Sequence, residues 1–120
     1  MRTTVELTDE QRATVARAIQ NGTAATTTVS VFELLSGVRT DAESRKVERL
    51  LAALAVVPLD EPASRAAAGV QRELSKGGAR IATADALIAG ICLARSAPLL
   101  TRNRAHFARV PGLVLQAETE

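Results

Sequence analysis

The segment ATADALIAGICLA, Ala82 to Ala94, constrains the fold more than any other part of the chain. Asp85 is its only charged residue, and its apolar side chains fall on nearly every side of a helix. Such a helix is stable in water only when sandwiched, so the chain must supply layers to cover it. The same property makes Asp85 conspicuous, because a carboxylate near the start of a buried helix needs a reason to be there.

The covering layers are legible in the periodicity. Thr8 and Gln11 form a capping-box pattern that opens a helix, DEQRATVARAIQ, stopped by Asn21-Gly22. The β-branched run from Thr26 to Val31 predicts a strand. A short helix, SVFELLSGVR, follows, with Ser30 and Glu33 at capping-box spacing. Val47, Leu50, Leu51 and Leu54 recur at helical spacing between Asp41 and Ala55. VVPL predicts a second strand, and Asp60 with Pro62 starts a helix that runs to about Ser75, ended by Gly77-Gly78. After the apolar helix, Thr83 to about Arg95, come a strand APLLT, a helical turn RNRAHF and a last strand GLVLQ. Strands alternating with helices imply an α/β fold: a parallel sheet with helices on both faces.

Composition narrows the class. A chain of 120 residues suits a single small domain, 1–120, and with two Phe and no Trp or Tyr its core is aliphatic. No run of about 20 apolar residues spans a bilayer, and the first residues lack the apolar stretch of a signal peptide. The single cysteine, Cys92, lies in the apolar run and reads as a buried small hydrophobe, so a cytoplasmic location is expected. The formal charge of +2 permits a polyanionic partner without arguing for one.

In open parallel sheets, ligands bind at the carboxyl ends of the strands. Glu33, Asp85 and Asn103 each fall where a strand or loop passes into a helix. Two carboxylates and an amide oxygen suit Mg²⁺ or Mn²⁺, which take oxygen ligands and can activate water for phosphodiester hydrolysis. Each also has a local explanation: Glu33 in a capping box, Asp85 at a helix N-terminus, Asn103 as a cap. Arg102, Arg104 and Arg109 are either a solvated face or a phosphate-contacting patch. The single His106 has no nucleophile to serve, and no Cys/His set has zinc spacing.

Three pieces in order, S-V-x-E-L-L-x-G, I-x-x-x-D-A-L-I-A and L-L-T-R-N-x-x-H-F, resemble PIN-domain ribonucleases of the VapC toxin type. The likeness covers about residues 24–115, leaving 1–22 as a divergent helical region. It implies a Mg²⁺- or Mn²⁺-dependent endoribonuclease, neutralised by a cognate antitoxin and usually a homodimer. It places Glu33 and Asp85 as metal ligands, Asn103 as a catalytic residue and Arg102 and Arg104 on RNA. The family opens with a strand ending in Asp-Thr or Asp-Ser, which nothing here matches; Glu6 lies too close to the Thr8 cap and to Glu33. The PIN-like sheet is therefore expected to lack its first, central strand, with the missing Asp upstream of Met1 in a longer protein. The alternatives are that residues 1 to 7 substitute as a poor strand, or that the chain is an inactive remnant serving as a protein-binding or dimerisation module.

Overall fold

The computed structural model describes residues 3–5 as backbone, and residues 24–101 and 103–116 in full. The helix expected over DEQRATVARAIQ, with its Thr8 cap and Asn21-Gly22 stop, lies outside the described residues. Four strands, β1 (Thr3–Val5), β2 (Ala24–Thr27), β3 (Ala55–Val57) and β4 (Leu99–Leu100), form one sheet in the order β3-β2-β1-β4. Every neighbouring pair is parallel.

The centre of this sheet is occupied by residues within 1 to 7, the substitution offered as an alternative to a gap. Thr4 of β1 pairs with Ala25 on one side and Leu99 on the other, so Thr3–Val5 takes the middle position. Three residues suffice because β2 and β4 are themselves short. Without them, backbone groups of two buried strands would lack partners, at a cost of about 1–3 kcal/mol for each group.

Ala24, Ala25, Thr26 and Thr27 are all buried, at 4, 0, 0 and 0% exposure. Successive strand residues point to opposite faces, so both faces of the sheet at β2 are covered. The last strand is reduced to a bridge: Leu99 N–H donates to the Val114 carbonyl at 2.9 Å, and Gln116 N–H to the Leu99 carbonyl at 2.8 Å.

Five helices follow the strands: α1 (Thr28–Ser36), α2 (Asp41–Ala52), α3 (Glu61–Lys76), α4 (Thr83–Ala94) and α5 (Arg104–Phe107). The strand expected to reach Val31 ends at Thr27. There Thr27 Oγ1 accepts the Ser30 N–H at 3.0 Å and donates to Ser30 Oγ at 3.2 Å, starting α1 two residues before the predicted cap. A satisfied helix N-terminus outweighs the β preference of Thr28, Val29 and Val31. The capping box that does form is on α2, where Glu43 N–H donates to Thr40 Oγ1 and Arg39 N–H to Glu43 Oε1. Asp60 caps α3 through the Ala63 N–H, as its position before Pro62 predicts.

The apolar helix α4 is buried as its composition demands, with Ala86, Ile88, Ala89, Gly90, Ile91 and Cys92 inaccessible to solvent. It runs antiparallel to α3. Asp60, before α3, pairs with Arg95, after α4, at 3.1 Å, and Gln71 late in α3 hydrogen-bonds Ile81 just before α4. Between these ends the helices touch backbone to backbone. A Cβ on Gly90 would stand 2.6 Å from the amide nitrogen and Cβ of Ala67 and would also meet the Ala63 carbonyl. Gly90→Ala is therefore expected to lower stability by roughly 1–3 kcal/mol, the usual range for overpacking, as read by chemical denaturation.

Candidate active site

Parallel strands place all their carboxyl ends on one edge, and the helices that enter or leave there carry the polar residues. β2 ends at Thr27 and runs into α1; β4 ends at Leu100 and runs through Thr101 toward α5. Thr101 is fully buried, and its Oγ1 accepts the Asn103 N–H at 3.0 Å, which turns the chain out of the sheet.

Asp85 stands in the first turn of α4, with a side chain only 16% exposed. His106, on α5, brings Nδ1 to 3.9 Å from Asp85 Oδ2. This contact carries the turn after β4 onto the start of α4. Glu33 is solvent-exposed on α1, one turn further along than expected, and α1 packs against α4.

The local explanations for Glu33 and Asn103 do not hold, whereas Asp85 does stand in the first turn of its helix, where the N-terminus favours a carboxylate. Ser30 is no cap, so Glu33 has no capping box to complete; α1 has no acidic residue in its first turn. Ala82 is the N-cap of α4 and no side chain caps that end. Asn103 precedes α5 without a side-chain cap bond; its carbonyl instead accepts from the His106 and Phe107 N–H groups. Burial raises the Asp85 carboxyl above its ordinary range, and the positive charge of His106 pulls it only part of the way back. A carboxylate engaged in capping would be shifted down by the amides it accepts from. Asp85 is thus held partly out of water at the start of α4 without capping that helix.

Arg104 Nη1 donates to the Gln116 carbonyl at 2.9 Å, tying part of this exposed guanidinium to the C-terminal segment. Arg102 lies outside the described residues. His106, set aside in the sequence for want of a nucleophile, is the residue that sequence reasoning undervalued. Its place in L-L-T-R-N-x-x-H-F was the available signal.

No three His, Cys, Asp or Glu side chains among the described residues converge as a metal cluster. The donors that are present, Asp85 and Glu33 with an amide at Asn103, are all oxygen. That fits a hard divalent cation, which binds through one or two carboxylates and completes its shell with water. A cation beside Asp85 would also offset the desolvation of its carboxylate.

A parallel sheet with a carboxylate helix end and a polar turn meeting at its carboxyl edge defines the class. The PIN domain family matches residues 4–113, and the chain belongs to that family. Its similarity is to the VapC proteins within it. Ribonuclease VapC10 of Mycobacterium tuberculosis is 39% identical over 90 residues, 75% of this chain and 67% of the relative. VapBC-1 from nontypeable Haemophilus influenzae superposes with a TM-score of 0.84 at 20% identity, covering 100% of both chains. DNA-bound VapBC from Salmonella typhimurium gives 0.83 at 23% identity, covering 99% of this chain and 100% of the other. VapBC2 from Rickettsia felis, bound to a promoter DNA fragment, gives 0.83 at 22%, covering 97% and 98%. At these identities the structures establish the shared fold.

The raised Asp85 carboxyl has a signed consequence for stability. Its proton is held more tightly in the folded than in the unfolded chain, so its contribution is full below the ordinary carboxylate value of 3.8 and lost as pH rises through the raised one. Asp85→Asn is therefore expected to melt above the wild type at neutral pH, the difference closing in acid. Thermal melts across that range check it.

Proposed function

We propose that this chain is a metal-dependent endoribonuclease toxin of the VapC type, hydrolysing RNA phosphodiester bonds in the cytoplasm and neutralised by a cognate antitoxin. The observation that carries the proposal is the Asp85 carboxylate, buried enough to be shifted up yet not used to cap its helix. The 39% identity to a ribonuclease supports it, and the structural neighbours that are VapBC complexes support an antitoxin partner. No described helix is long and apolar enough to cross a membrane.

Asp85 and Glu33 would hold Mg²⁺ or Mn²⁺ between the start of α4 and the face of α1. Bound there, the ion lowers the pKa of a coordinated water and stabilises charge on the phosphoryl oxygen. The exposed Asn103 amide, fixed by the Thr101 turn, would orient water or the scissile phosphate. His106, 3.9 Å from Asp85, works against the upward shift that burial gives the Asp85 carboxyl. Arg104, and Arg102 two residues before it in the sequence, would contact phosphates. Phe32, 71% exposed and adjacent in sequence to Glu33, gives an antitoxin an apolar anchor near the site. A homodimer, as the resemblance implies, is part of the proposal. The non-catalytic alternative is not favoured: the sheet centre it took to be empty is filled by Thr3–Val5, and the chain is 39% identical to a ribonuclease, although no Asp ends that strand.

Cleavage of an RNA substrate in Mn²⁺ should stop on chelation, and Asp85→Asn or Glu33→Gln should lower kcat by at least about 100-fold. Variants that cleave at the wild-type rate would overturn the assignment. The acidic limb of the pH–rate profile should lie above the ordinary carboxylate range, because Asp85 must lose its proton before it can bind. His106→Ala should move that limb further up, since it removes the charge that pulls the Asp85 carboxyl down.

A further inference from the structure

A broad open groove of about 520 Å³ lies where α3 passes into the loop before α4, lined by Gln71, Arg72, Ser75, Lys76 and Arg80. We infer that this groove is a track for the phosphate backbone of single-stranded RNA leading to Asp85, an inference that rests on the nuclease reading above and names where its substrate lies.

Three of the five lining residues are cationic and the other two are polar, so aliphatic stems form the walls and charged or polar heads the rim. Arg72 and Lys76 sit four residues apart, on one face of α3. Lys76 in the last turn suits the helix dipole, but Arg80 lies beyond the helix, where the dipole gives no account of it. The acid beside them, Glu73, approaches Lys76 at 3.7 Å with both side chains well exposed. Arg72 and Arg80 form no ion pair or hydrogen bond with the described residues, leaving both guanidinium forks to solvent. A protein-docking surface would centre on apolar side chains, and none lines this groove. Guanidinium forks and a hydroxyl match phosphate and sugar oxygens.

The groove is also rigid and placed beside the site. Gln71 Nε2 donates to the Ile81 carbonyl at 2.6 Å, and its Oε1 accepts the Ile81 N–H at 3.3 Å. The loop that carries Arg80 is thereby fastened to α3. On its other side Arg109 Nη1 donates to the Ala79 carbonyl at 3.4 Å. Arg109 follows closely on His106 of α5, so one short segment, 106–109, contacts both Asp85 and the loop that carries Arg80.

Binding of a fluorescent single-stranded RNA oligonucleotide, measured in EDTA over a series of KCl concentrations, tests the track. Arg72→Ala, Lys76→Ala and Arg80→Ala together should lower the magnitude of the slope of log K against log[salt] by about 2, at about 0.7 per lost phosphate contact. Arg72→Lys with Arg80→Lys should keep the slope. In Mn²⁺ the triple variant should lose cleavage efficiency through KM, with kcat retained. All three positions are exposed, so a thermal midpoint within about 3 °C of wild type confirms folding. An unchanged slope, or no RNA binding by the wild type, overturns the track. Wild-type cleavage with an unchanged slope sinks the track alone, and a lowered slope without any cleavage sinks the nuclease reading alone.

Discussion

Everything around the site depends on how closely α3 and α4 approach. At Gly90 the two helices meet with no side chain between them, against Ala63 and Ala67. That contact lets a helix with almost no polar face be covered along its length. It also fixes the direction of α4, with Arg95 held by Asp60 at one end and Ile81 held by Gln71 at the other. Asp85 stands near the second of these ends, partly withdrawn from water because the helix that carries it is.

The sheet gives the second constraint. Two short buried strands, β2 and β4, leave a space that backbone hydrogen bonding must fill, and Thr3–Val5 fills it. Parallel pairing on both sides aligns the carboxyl ends of three adjacent strands. The β2 end launches α1, which carries Glu33, and the β4 end launches the Thr101 turn toward Asn103 and His106. The site thus lies at the edge where these connections come together.

The Asp85 carboxylate carries a folding cost. A neutral side chain in its place would fold more readily, since desolvation opposes the charged carboxylate. His106, 3.9 Å away, offsets this only in part. Perturbed groups of this kind cluster at functional sites, which is what makes Asp85 a candidate. Asp60 is the contrast: a carboxylate that caps α3 and pairs with Arg95 has its role fully spent in the fold.

The amino-acid sequence by itself determined the layered α/β plan, because apolar periodicity and turn residues dictate which segments can be buried. It determined that α4 is sandwiched, that α3 begins after Asp60 and ends at Gly77, and that Cys92 is a core residue. It also singled out Glu33, Asp85 and Asn103 by type and spacing. Only the tertiary structure decided where α1 begins, since the choice between Thr27 and Ser30 as cap turns on which hydroxyl meets a free amide. Only it decided that three residues near the N-terminus are the centre of the sheet, a pairing set by strands more than 90 residues apart. And only folding decided the environment of Asp85. Spacing can put a carboxylate at a helix start, but burial and the approach of His106 from a distant turn set its charge.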